Sequence, residues 1–158
     1  MKETTIGLFR AWGLPESFKG SKRALRYVNP LEKGIYWYHF SQFIRKRDFE
    51  RWGACISCDK PLESWNDGDC GHYIAASKCG IDLLFDPVNC NLECSQCNAW
   101  DETHLIGYRR GLNKRHGEGT SDELERRYYD YANGGTKLQW PKEKYILLLD
   151  DLGIKRKD

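Results

Sequence analysis

The chain has 158 residues and a mass of 18.5 kDa, is 40% apolar and 30% charged, and carries a net charge of +2. That length suits one compact domain with an appended helical arm, and the apolar share suffices for a core, which excludes wholesale disorder. Apolar runs reach only residues 146–149, far short of the ~20 residues of a membrane span, and residues 1–5 lead into no apolar stretch of the kind a secretory signal carries. The charge is unevenly spread. Residues 1–51 hold eleven Lys/Arg against five Asp/Glu, residues 52–101 two against eight, and residues 102–158 twelve against ten. An acidic centre rich in metal-ligand residues between basic flanks suits a cation site addressed to a polyanion, although charge also fluctuates along any chain of this size.

Residues 1–35 read as a basic N-terminal arm, punctuated by Gly7, Gly13, Pro15, Gly20, Pro30 and Gly34 without a sustained period. From Tyr36 to Arg51, Trp37, Phe40, Ile44 and Phe43 recur at helical spacing, and Arg51 sits where the negative end of the helix dipole favours a cation. Gly53 ends that helix. Residues 54–97 are turn-rich and cysteine-rich and need a crosslink to hold a fold. A helix from about Asn98 to Lys114 carries the stripe Leu105, Tyr108 and Leu112, with Gly111 a local weakness and Gly117 its end. Thr120 and Glu123 have the capping-box spacing ahead of a helix that buries Leu124, Tyr128 and Tyr131 and stops at Asn133-Gly134-Gly135. A last helix starts near Pro141 and buries Tyr145, Leu148, Leu149 and Leu152. The expected organisation is the arm at 1–35, a zinc-stabilised core with its preceding helix at 36–117, and a C-terminal helical extension at 118–158.

Seven cysteines without an evident export signal point to a reducing compartment, where clustered thiols more often hold metal than form disulfides. Cys55-Ile56-Ser57-Cys58 and Cys94-Ser95-Gln96-Cys97 are two CxxC knuckles separated by 35 residues. Together they complete a closed tetrahedral zinc shell, and a closed shell is structural rather than catalytic. Cys70, Cys79 and Cys90 are read as small buried hydrophobes.

Chemistry must then lie elsewhere. His72 is the only histidine inside the cysteine clip, and its ordinary pKa of ~6.5 lets it accept a proton near neutrality. Asp69 is a hard oxygen ligand close by. Asn98 and Asp101, three apart at the start of the expected helix, would project from one face. Few carboxylate and carboxamide oxygens, with waters retained, suit Mg²⁺.

The order Cys55, Cys58, Asp69-Cys70-Gly71-His72-Tyr73, Asn89, Cys94 and Cys97-Asn98 resembles that of the HNH, or His-Me finger, nucleases. From the Tyr36-Trp37 helix to the helix near Leu152, about three-quarters of the chain, the sequence is more closely similar to the NinG (Rap) family of phage recombination proteins. Residues 1–34 fall outside that similarity. The element from Cys94 to Asn98, with Asp101, also resembles phage recombination endonuclease VII. These resemblances imply an α+β fold: a zinc-stapled ββα-metal core, with a hairpin carrying His72, a loop carrying Asn89 and a helix opening at Asn98, flanked by α-helices. They imply His72 as general base, Asn89 as the residue that orients it or braces its loop, and Asn98 as a ligand of a catalytic Mg²⁺ or Mn²⁺. Two departures stand out. Gly71 occupies a position commonly acidic in HNH enzymes, so the acidic ligand falls to Asp69 or another residue, and Asn98 replaces the final histidine. The implied activity is Holliday-junction cleavage to 5′-phosphate and 3′-hydroxyl ends, in the cytoplasm of a phage-infected or prophage-bearing bacterium.

Arg45, Lys46, Arg47 and Arg51 before the first knuckle, and Arg109, Arg110, Lys114 and Arg115 after the second, are candidate DNA phosphate contacts, or else a solvated helix face. Trp100 and Tyr108 are read as core residues, and His39, His104 and His116 as surface or helix-face residues. The Lys155-Arg156-Lys157 run is read as a frayed tail. A four-way junction is two-fold symmetric, so paired nicking favours a homodimer. Two alternatives remain: an HNH nicking enzyme without junction preference, and a zinc-stabilised DNA-binding module in which His72 is structural.

Overall fold

The computed structural model describes residues 31–79, 81–101, 103–134, 142–151 and 153. The expectations for residues 1–30 and for the 155–157 run lie outside these, as do the side chains of Trp100, Tyr145 and Leu152. The chain divides into a unit of Ile44–Gln139 and a unit made of residues 1–43 with 140–158. Among the described residues no helix is long and apolar enough to cross a membrane.

Helix α1 runs Leu31–Trp52, starting earlier than its apolar period indicates. Tyr36, Phe40 and Ile44 are fully buried at helical spacing. Gly53 closes it with φ of 60°, a left-handed conformation that glycine adopts without penalty. Next come the first knuckle and a 3₁₀ turn, Trp65–Asp67, capped by Ser64 in a reciprocal box with Asp67. Strand β1, Gly68–His72, pairs antiparallel with β2, Cys90–Cys94, in the register Gly68 with Cys94 and His72 with Cys90. Helix α2, Ile81–Leu84, lies between them in sequence, and α3, Ser95–Trp100, follows β2 directly.

The helix expected from Asn98 to Lys114 is in fact two. Helix α3 ends at Trp100 and α4 spans His104–His116. The break comes from Asp101, whose Oδ1 accepts hydrogen bonds from Thr103 N at 2.8 Å and Thr103 Oγ1 at 2.7 Å. An aspartate bonded to the backbone two residues on is a turn former, and it competes with helix continuation. Within α4, Tyr108 and Leu112 are buried as expected, whereas Leu105 is 44% exposed. Gly111 is not a weakness but a fitting surface. A Cβ there would strike the carbonyl oxygen of Ile56, and one at Gly107 the carbonyl oxygen of Ser57. These two glycines, one turn apart, let α4 lie directly on the backbone of the first knuckle.

Helix α5 runs Thr120–Gly134. Its start differs from the expected box. Thr120 Oγ1 donates to Gly117 O at 2.7 Å, and it is Asn113 Oδ1, from α4, that accepts from Ser121 N at 3.0 Å. Leu124 is buried and Tyr128 packs against the same core, with Ile56, Tyr73, Leu83, Tyr108 and Leu112. In the other unit, α6 covers Lys142–Asp151, with Leu149 buried, Leu148 half-buried and Leu147 60% exposed.

Buried polar groups pin the hairpin to this frame. Asp48 Oδ2 accepts from Leu92 N at 2.7 Å, and Tyr108 Oη donates to Gly71 O at 2.8 Å. Asn91 is held on both sides: Nδ2 donates to Val88 O at 2.8 Å, and Oδ1 lies 2.8 Å from His116 Nε2. Each satisfied group avoids the ~1–3 kcal/mol cost of an orphaned one.

Candidate active site

The two knuckles converge. Sγ atoms of Cys55, Cys58, Cys94 and Cys97 all lie within 4.8 Å of one another, with Cys58 and Cys94 sulfurs 3.9 Å apart. Zinc–sulfur bonds of ~2.3 Å in a tetrahedron require sulfurs ~3.8 Å apart, so this cluster can hold a structural zinc. The backbone arranges it: Cys94 N donates to Cys55 Sγ at 3.2 Å, and Asp59, just past Cys58, turns the chain with φ of 58°. Burial pushes the Cys55 thiol up to about 11, against backbone amides that favour its thiolate. Cys90 is buried, and Cys70 and Cys79 are half-buried; none of the three belongs to the cluster.

His72 ends β1 and is half-buried. Its Nε2 lies 3.0 Å from Leu84 O. A carbonyl only accepts, so Nε2 carries the hydrogen and Nδ1 is the basic nitrogen of the neutral ring. Burial holds the imidazole below its usual pKa, partly countered by that carbonyl. Asn89, wholly buried, braces the surroundings. Its Oδ1 accepts from Ile74 N at 2.8 Å, and its Nδ2 donates to Leu83 O at 2.9 Å and Ile74 O at 3.2 Å. Asn89 thus fixes both the segment after His72 and the segment whose carbonyl holds His72.

Asp69 and Asn98 are brought together: Asn98 Nδ2 donates to Asp69 Oδ2 at 3.3 Å. Asn98 lies inside α3 rather than at its opening, exposed, one residue after the cluster ends. Strand alternation places Asp69 and Gly71 on one face of β1 and Cys70 and His72 on the other. Asp101 is not brought to this pair. It caps α3 instead of projecting from the same helix face as Asn98, and the Thr103 hydrogen bonds hold its carboxyl below the usual range.

Sequence reasoning passed over Glu93. It is fully buried in β2, paired across the hairpin with Asp69. Its Oε1 accepts from Ser57 Oγ and lies 2.7 Å from His104 Nδ1. Burial raises its pKa, opposed by those two partners. A lone acid in the otherwise uncharged strand Cys90–Cys94, abutting a CxxC, was the available signal.

The eight basic candidates separate by exposure and by what they touch. Arg47, Arg109 and Arg115 work inside the fold. Arg47 reaches Asp48 and Pro87 O, both at 2.6 Å; Arg109 pairs with Asp122 and Glu125; Arg115, only 3% exposed, donates to Ala54 O at 3.1 Å and Cys55 O at 3.2 Å. Lys46, Arg51, Arg110 and Lys114 are exposed. Arg45, half-buried, and Lys46 both lie over the Trp65 ring, at 4.9 and 4.8 Å from its centre.

Residues 17–145 match the family model described as bacteriophage lambda NinG protein. This chain belongs to the NinG family. Curated relatives named protein ninG agree with it: that of Escherichia phage 933W is 31% identical over 134 residues, covering 81% of this chain and 64% of that protein. Those of Salmonella phage P22 and Escherichia phage lambda are each 30% identical over 134 residues, covering 81% of this chain and 63% of theirs. The chain therefore spans just under two-thirds of the length of these NinG relatives. The family match begins at residue 17, upstream of the stretch from Tyr36 to which the sequence resemblance was confined. No solved structure matches.

Proposed function

We propose that this NinG-family chain is a divalent-metal-dependent, structure-selective DNA endonuclease that nicks branched DNA such as a four-way junction during phage recombination. The observation that carries the reading is the hairpin: His72, tautomerically fixed by Leu84 O, ends the same strand whose Asp69 is bonded to Asn98, next to the four-cysteine cluster. A zinc-stabilised binding module has no use for a base and hard oxygen ligands on one hairpin. The order of these residues, with Asn98 directly after the second CxxC, is the order of the HNH and endonuclease VII nucleases, and an antiparallel pair followed by a short helix suits that ββα-metal core.

Zinc at the four cysteines would hold the fold. The residues near Asn98 also fit a second, hard cation. Asn98 and Asp69 offer amide and carboxylate oxygens, and beside them the buried Glu93 Oε2 lacks a hydrogen-bond partner among the described residues. Bound there, Mg²⁺ or Mn²⁺ would supply electrostatic stabilisation of the charge developing on the scissile phosphate and the departing 3′ oxygen. His72 Nδ1 takes the proton of the attacking water, and Asn89 keeps the ring in place through the 83–84 segment. Strand cleavage then leaves 5′-phosphate and 3′-hydroxyl ends. Lys46, Arg51, Arg110 and Lys114 supply phosphate contacts that position DNA without reading sequence. Exposed Leu105 and Ile106, 44% and 73% accessible, provide apolar surface suited to a homodimer on a two-fold-symmetric junction.

The test compares the wild type with His72→Ala on four-way, nicked and linear DNA, with and without Mg²⁺. Mg²⁺-dependent junction cleavage, reduced at least a hundredfold in the variant, is expected. Equal cleavage by the variant refutes the mechanism, equal cutting of linear duplex refutes the junction preference, and DNA binding without cutting leaves a binding module.

A further inference from the structure

We infer that Glu93, rather than Asp101, is the principal carboxylate ligand of a divalent-cation site completed by Asn98 Oδ1 and bordered by Asp69. Position 71 shows why. A Cβ built at Gly71 would strike Glu93 Oε2 and would also meet Asn98 Oδ1 at 3.2 Å. Two acceptor oxygens from different elements thus lie within 3.2 Å of the point where residue 71 would carry a Cβ, in space left open because it has no side chain. Neither supplies a hydrogen to the other. Asn98 Nδ2 is turned to Asp69 Oδ2 while its Oδ1 borders the Gly71 position, and among the described residues Glu93 Oε2 has no hydrogen-bond partner although the residue is completely buried.

The other half of the carboxylate is fixed. Ser57 Oγ and His104 Nδ1 both engage Oε1, so the rotamer that presents Oε2 is held from the first knuckle and from α4. Such hydrogen bonding of one ligand oxygen is how proteins orient a metal-binding carboxylate. An unpartnered buried carboxylate oxygen is costly unless something positive meets it. A hard cation bonds oxygens at ~2.0–2.4 Å and retains waters on its open side, which the exposed Asn98 provides. Gly71 immediately precedes His72, so an ion held there is one residue along β1 from the residue proposed as base, on the opposite face of the strand.

What the ion does rests on the nuclease reading, but its binding can be measured without DNA. Zinc-replete full chain is titrated with Mn²⁺ and free Mn²⁺ is read by electron paramagnetic resonance. One Mn²⁺ per chain is expected, weakened at least tenfold by Glu93→Gln and by Asn98→Ala, with zinc content unchanged. In wild-type protein carrying ¹³C-labelled glutamate, substoichiometric Mn²⁺ should broaden the Glu93 carboxyl resonance ahead of the others, a readout that holds even if Glu93→Gln fails to fold. No Mn²⁺ binding by wild type, unchanged affinity in folded Glu93→Gln, or unselective broadening overturns the inference. Glu93-dependent Mn²⁺ binding without any DNA cleavage sustains it and rejects the nuclease. Junction cleavage by a Glu93→Gln chain with undiminished Mn²⁺ affinity does the reverse.

Discussion

Gly111→Ala sets two general rules against each other. By helix propensity alone, alanine in place of an interior glycine should stabilise α4 by about 1 kcal/mol. The structure reverses the sign. The new methyl would strike the Ile56 carbonyl oxygen and lie 2.6 Å from Ile56 Cγ1, and the carbonyl is backbone of the first knuckle rather than the end of a flexible side chain. Relief requires α4 to move off the segment between Cys55 and Cys58. A backbone obstacle puts the overpacking cost towards the upper end of about 1–3 kcal/mol, so net of the propensity gain the expectation is a loss of up to about 2 kcal/mol. Gly107→Ala, which drives its methyl into the Ser57 carbonyl, should lose at least as much. The two share one interface, so their effects should not add. Urea denaturation of the zinc-loaded chain gives the free-energy difference, and the rate of zinc transfer to a chromogenic chelator should rise in parallel. An unchanged or raised urea midpoint for both variants would refute the close docking of α4 on the knuckle.

Removal of zinc, by chelation or by Cys97→Ser, should unfold the Ile44–Gln139 unit, because structural zinc contributes on the order of 10 kcal/mol to such small folds; circular dichroism and metal content taken together check it. Asn89→Ala should destabilise by about 2–4 kcal/mol, since it strips partners from Ile74 N, Ile74 O and Leu83 O. The same variant should lower junction cleavage even where the protein remains folded, measured under single-turnover conditions. His72 is held below its ordinary pKa of ~6.5, so between its folded value and ~6.5 the unfolded chain binds more protons and stability falls as pH is lowered through that window. The acid limb of kcat/KM should accordingly lie below pH ~6.5 and disappear from the residual activity of His72→Ala.

The sequence showed its structure where spacing alone defines geometry. Two CxxC knuckles name a four-sulfur cluster however far apart they lie, and Asn98 is placed by adjacency to the second. His72 and Asn89 were visible as residues, although the carbonyl of Leu84 that fixes the ring was not, because α2 lies in a segment without a strong period. What escaped depends on register and close approach. Glu93 faces Asp69 only once β1 and β2 are aligned. Gly111 looks like a poor helix residue until Ile56 is seen beneath it. Asp101 reads as helical from its neighbours' period, yet its own side chain ends the helix by bonding Thr103. Among the basic residues, charge says nothing of direction: Arg47, Arg109 and Arg115 turned out to brace the fold, which their partners decide rather than their burial, since the Arg109 side chain is 43% exposed.

The claim that one ion staples the fold while a different one serves the hairpin is tested most directly on a single purified, chelator-washed sample. Elemental analysis should find one zinc per chain with no junction cleavage, and added Mg²⁺ should start cleavage while zinc stays at one. A well-folded chain without zinc, or cleavage that persists with zinc as the sole metal, would contradict it.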